Sequence, residues 1–128
     1  MEPDPIPDDV RRFIVQCIPS VPYLEAILLL KDDPAVTWTP RQLASRLYVG
    51  EADAMQLLLE LQAAEIVAPA PQANTFGFAP ATPQMREMFN RVAMAYRRHL
   101  IDVTKLIHVK ANRKAQHFAN AFIWRKES

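Results

Sequence analysis

Eleven prolines and only two glycines divide this 128-residue chain. Proline lacks an amide hydrogen and has a fixed φ, so it opens helices or breaks them, and each one limits how far a helix can run. The spacings leave room for short helices up to Pro80 and for one long helix after Pro83. Residues 1–7 are acidic and proline-rich and read as disordered. Hydrophobic spacing then predicts a helix from Asp8 or Asp9 to about Ile18, with Val10, Phe13, Ile14 and Cys17 on one side. A second helix opens at Pro22 and runs through Leu30, apolar nearly all round, which suits a central core helix. Val36-Thr37-Trp38 is β-prone. Thr39-Pro40 supplies an N-cap and a proline at the first helical position, and so starts a short helix from Arg41 to Leu47. Tyr48-Val49-Gly50 reads as a turn, and Glu51 to Glu65 as a longer helix with Ala54, Leu57, Leu58, Leu61 and Ala64 facing inward. Ile66-Val67-Ala68 and Phe76-Gly77-Phe78-Ala79 flank the turn-rich Pro69–Thr75 and predict a two-stranded hairpin. The expected class is mainly α with a small β-hairpin.

Thr82-Pro83 opens the longest predicted element. Met85, Phe89, Val92, Tyr96, Leu100, Val103 and Ile107 recur every three or four residues through about Val109, one amphipathic helix of about 40 Å at 1.5 Å per residue. A body of some sixty residues cannot cover such a stripe alone, so these seven residues are expected to form the contact of a homodimer. Asn112 can cap a last helix, within 112–126, in which Phe118, Phe122 and Trp124 are interleaved with Arg113, Lys114, Arg125 and Lys126. That segment is expected to dock on the folded body, where acidic residues supply the opposite charge.

Helix, short strand, helix, turn, helix and hairpin follow one another between residues 22 and 80. The marks are Trp38-Thr39 ahead of Leu43-Ala44 and Leu47, then Leu58 and Leu61 ahead of Ile66-Val67, with an aromatic return strand ending at Pro80. This order resembles the winged helix-turn-helix family of transcriptional-regulator-like proteins with a C-terminal helical extension. The resemblance covers about residues 22–80; with the flanking elements the expected organisation is a winged-helix domain over 8–80, a dimerisation helix over 81–109, as in many winged-helix proteins with an added C-terminal helix, and a basic, aromatic C-terminal helix over 112–126. It also implies that the helix after the turn would be the one to enter a DNA major groove, placing Glu51, Asp53 and Gln56 at the base edges.

Charge argues against that use. The chain is nearly neutral, at +1, yet residues 1–79 hold five Lys/Arg against eleven Asp/Glu, and residues 80–128 hold ten against three. Phosphate neutralisation supplies most of the affinity of a DNA-binding protein. Between Asp33 and Pro80 the only cations are Arg41 and Arg46, and the hairpin tip has none. Glu51 and Asp53 suit the positive end of the helix dipole, and Gln56 alone is a plausible adenine reader. Any nucleic-acid binding is expected to be weak and nonspecific.

The remaining chemistry is sparse. A single Cys17, read as a small buried apolar residue, excludes an internal disulfide and suits a reducing cytoplasm. His99, His108 and His117 are nine residues apart, half a rotation on a helix, so no two share a face for a metal. The glycines form no phosphate-binding loop and no serine or cysteine sits in a nucleophile motif, so no enzyme, cofactor or metal is expected. No stretch approaches the roughly twenty apolar residues of a membrane span, and no export signal is recognisable. Two functions fit: a homodimeric, cytoplasmic regulatory or protein-interaction module, and a DNA-binding transcriptional regulator.

Overall fold

The computed structural model describes residues 5–109. Its elements are α1 (Asp8–Cys17), α2 (Val21–Asp32), β1 (Thr37–Trp38), α3 (Pro40–Leu47), α4 (Glu51–Ala63), β2 (Val67–Pro69), β3 (Phe76–Phe78) and α5 (Pro83–Arg98). Residues 100–109, here α6, are also helical. The chain is thus mainly helical with a small antiparallel sheet. The sheet has three strands in the order β1-β3-β2, in which the short strand expected near Trp38 joins the expected two-stranded hairpin. Thr37 and Trp38 of β1 pair with Gly77 and Phe76, on the edge of β3 opposite β2. Two residues gave too little periodicity to be assigned a partner from sequence.

Contacts group the chain into two compact units, one of Pro22–Ala93 and one of the stretches before and after it. The division falls inside α5. Proline punctuation marks the turn at Pro80 instead, because it records where the backbone reverses and not what covers each face.

In the unit of residues 22–93, α2 buries Tyr23, Leu24, Ala26, Ile27 and Leu30, as its all-round apolarity requires. Helix α3 buries Leu43 and Ala44, and packs on α4. Helix α4 buries Ala54, Leu57, Leu58 and Leu61, four of the five positions its periodicity assigns inward. The fifth, Ala64, is exposed because α4 ends one residue earlier. Glu65 has φ 61°, and the Ile66 N–H donates to the Leu61 carbonyl at 2.9 Å, the bond that closes a Schellman C-cap. Glu65 therefore terminates α4 where the expected helix included it. Phe78 and Phe89 meet at 6.1 Å between centroids, with Arg86 5.3 Å above the Phe78 ring, which joins the start of α5 to the sheet. Thr82 caps α5 by accepting from the Met85 N–H at 3.0 Å.

In the other unit, Ile6, Val10, Ile14 and Ile18 are buried, as are Ala95, Val103 and Ile107. Cys17, expected inside, is exposed. The buried positions of α1 are Val10 and Ile14, four residues apart, and Ile18, which follows the helix, continues that series into the core and leaves Cys17 facing outward. The long helix expected through Val109 has a one-residue break at His99. Helical hydrogen bonding nonetheless crosses it: the His99 N–H donates to the Ala95 carbonyl at 2.7 Å, and the His99 carbonyl accepts from Val103 at 2.9 Å. Nothing in the sequence around His99, neither proline nor glycine, accounts for the break.

Candidate interaction surface

The stretch from Thr39 to α4 is built from local hydrogen bonds. Thr39 Oγ1 accepts from the Gln42 N–H at 3.1 Å, and Gln42 Oε1 accepts from the Thr39 N–H at 3.0 Å, a reciprocal capping box that fixes where α3 begins. The end of α3 is set by Tyr48, at φ 57° and ψ 43°, with the Val49 N–H donating to Ala44 at 3.1 Å. This left-handed position is normally glycine, since a Cβ there crowds the following carbonyl. The Tyr48 side chain is 94% exposed. Gly50 then caps α4 without a side-chain hydrogen bond, and Glu51 and Asp53 occupy the first turn.

Glu51, Asp53 and Gln56 are all exposed. The structure thus brings together, on one helix, the three α4 residues singled out by sequence. With them stand two that sequence passed over: Glu60, which accepts from Gln56 Nε2 at 3.3 Å, and Leu59, 47% exposed. The helix contains no Lys or Arg. Arg41 and Arg46 are exposed on α3, and the Arg46 guanidinium lies 5.9 Å from the centroid of the Trp38 ring. Trp38 is 8% exposed and its indole Nε1 is buried without a hydrogen-bond partner. The β2–β3 turn is closed by Ala70 N–H to Thr75 at 2.9 Å and by Thr75 Oγ1 to the Gln72 carbonyl at 2.8 Å, with Asn74 at φ 61°. No charged residue lies between Pro69 and Thr75.

The seven residues expected to form a dimer face do not share one free surface. Phe89, Val92, Val103 and Ile107 are at most 1% exposed within a single chain, Met85 and Tyr96 are half-buried, and only Leu100 stands out, at 53%. The expectation assumed that residues 22–80 were the only cover for the stripe. Instead Phe89 and Val92 are buried within the unit of residues 22–93, where Phe89 meets Phe78, and Val103 and Ile107 belong to the unit that groups the N-terminal stretch with residues 94 onward. The exposed apolar side chains of this part are others: Met94 at 53%, Ile101 at 68% and Val109 at 49%. Arg113, Lys114, Phe118, Phe122, Trp124, Arg125 and Lys126 lie outside the described residues.

Among the described residues no three His, Cys, Asp or Glu side chains gather as a metal site. His99 Nδ1 lies 4.0 Å from Asp102 Oδ2, a contact between neighbouring turns. No single helix among the described residues is long and apolar enough to cross a membrane.

The fold has a solved counterpart. The crystal structure of RV1404 from Mycobacterium tuberculosis superposes with a TM-score of 0.51 over 93% of this chain and 81% of that one, at 14% sequence identity. Identity this low makes it a likeness of fold alone. No family model and no curated protein matches the sequence.

Proposed function

We propose that residues 22–80 are a winged helix-turn-helix serving as a regulatory or protein-interaction module, in a cytoplasmic, non-enzymatic protein that pairs with itself. The order α2-β1-α3-α4-β2-β3, the tight Tyr48–Gly50 turn and the β1-β3-β2 sheet support the winged-helix reading. A free thiol at Cys17 suits a reducing compartment. The absence of a nucleophile or phosphate-loop motif from the sequence supports a role without catalysis.

One observation carries the choice between protein and DNA as partner. The outward side of α4 presents Glu51, Asp53 and Glu60 with no cation on the helix. Against phosphates this helix would be repelled, whereas a protein surface can supply the matching charge. A DNA-binding regulator is the second reading, favoured by Arg41 and Arg46, exposed on the helix that precedes the turn.

Fluorescence anisotropy on random duplexes, followed by selection from a random pool, separates the two. The expected outcome is weak binding, insensitive to sequence and lost as salt rises. Recovery of a palindromic site bound in the nanomolar range at physiological salt would make the DNA reading correct.

A further inference from the structure

Two outward faces remain unused by the interior, and they match each other. On α4, Ala52 and Leu59 are seven residues apart, two helical turns or about 10 Å, and so lie on one side. Both are exposed, and half-buried Met55 lies between them. Asp53 and Glu60 follow each by one residue, again seven apart, and both are exposed. On the stretch from 94 to 109, Met94 and Ile101 are likewise seven apart and 53% and 68% exposed. Arg98 and Lys105 follow each by four residues, seven apart once more, and Arg97 lies alongside. All three cations are exposed. The helical hydrogen bonds through His99 keep Met94 and Ile101 on a common side.

Each face is therefore an apolar pair beside a charged pair at the same pitch, acidic on α4 and net basic on 94–109, where Arg97, Arg98 and Lys105 outnumber the exposed Asp102 that follows Ile101. Among the described residues no ion pair engages Glu51, Asp53, Glu60, Arg97, Arg98 or Lys105. Charges of opposite sign left unpaired at equal spacing are what an electrostatically complementary contact requires. Pairing two 94–109 faces directly would instead set cations against cations.

We infer that a second copy of this chain is the occupant: the apolar, acidic face of α4 in one copy docks on the apolar, basic face of residues 94–109 in another. The inference rests on α4 being a protein-binding surface, as proposed above. Leu59 and Ile101 are its apolar anchors, and Asp53 and Glu60 meet Arg98 and Lys105. The four interior residues of the expected stripe take no part.

Light scattering and sedimentation of the full chain at tens of micromolar test it, with circular dichroism confirming that each variant folds. Wild type is expected to self-associate, less so as salt rises. Leu59→Lys and Ile101→Glu are each expected to weaken association about tenfold or more. The decisive pair is a charge exchange: D53K with E60K in one variant, R98E with K105E in the other. Each variant alone should be monomeric, since like charges then face each other, and an equal mixture of the two should associate as wild type does. A monomeric wild type, variants that self-associate undiminished, or a mixture that stays monomeric would overturn the inference. A monomer that also selects no duplex sinks this inference and the self-pairing but leaves α4 as a surface for another protein, whereas recovery of a selected duplex sinks the protein-interaction proposal itself.

Discussion

Helix α4 and the stretch from 94 to 109 are alike on the inside and opposite on the outside. Inward, both present aliphatic side chains at three- and four-residue spacing, and both are fully covered: Leu58 and Leu61 in one, Val103 in the other, are 0% exposed. Outward, α4 shows carboxylates around Leu59, and 94–109 shows cations around Met94 and Ile101. Interior faces are interchangeable in chemistry because burial rewards any close-packed hydrocarbon about equally. The exposed charges are what differ, and charge decides which surfaces can meet.

The inner and outer faces are separated most widely by truncation. Leu58→Ala leaves a cavity in a close-packed interior and is expected to destabilise the unit of residues 22–93 by about 3 kcal/mol. Leu59→Ala, one residue on but facing out, should change stability by less than about 0.5 kcal/mol. Urea unfolding followed by far-ultraviolet circular dichroism measures both. A Leu59 variant as unstable as the Leu58 variant would show that α4 has no free outer face.

How far the sequence could be read follows from the same distinction. Helix α3 was legible to within a residue because its start is written in neighbouring side chains, Thr39, Pro40 and Gln42, whose bonds are local. The inward positions of α4 were legible because burial repeats with the helical period. The role of Phe89, Val92, Val103 and Ile107 was not: periodicity says that a face is apolar, not whether the same chain covers it. Val103 and Ile107 share a unit with residues near 10, and Phe89 meets Phe78 of the sheet, and no short-range pattern records either. The short strand at Thr37 and Trp38 was legible as β-prone, but its partner was not, since the pairing with β3 joins residues some forty positions apart. Of the candidate surface, Glu51, Asp53 and Gln56 could be placed by counting from the turn. Leu59 could have been found by noting that it falls off the inward series at 54, 57, 58 and 61.

A second test asks whether the two faces are independent. The orientation of α4 depends on α3, which packs against it, and α3 depends on its capping box. Thr39→Ala removes the hydroxyl that accepts from the Gln42 N–H and should cost about 1 kcal/mol. Residues 101–109 belong to the other compact unit. Hydrogen exchange is therefore expected to quicken in α3 and α4 of this variant while protection at Val103 and Ile107 is unchanged. Equal loss of protection in both places would show that the faces rise and fall together, and the contrast between them would then have no separate structural basis.

The smallest expected effect lies at Tyr48, the turn from which α4 sets out. A non-glycine residue in the left-handed region costs roughly 1–2 kcal/mol, and the chain accepts this to close the cap through Val49 and Ala44. At 94% exposure the ring can return almost none of that by packing. Tyr48→Gly relieves the crowding but makes the unfolded chain more flexible, which offsets roughly 0.4–1 kcal/mol of the gain. The net expectation is a stabilisation of about 0.5 kcal/mol. Tyr48→Ala keeps the Cβ and loses only the exposed ring, so its stability should match wild type. The two substitutions together separate backbone from side chain. If Tyr48→Ala destabilises as well, the ring has a packing role that its exposure denies. If stability follows the expected order but self-association weakens in both variants, Tyr48 extends the acidic α4 face toward its partner, and the surface that differs from 94–109 in charge would then differ in aromatic content too.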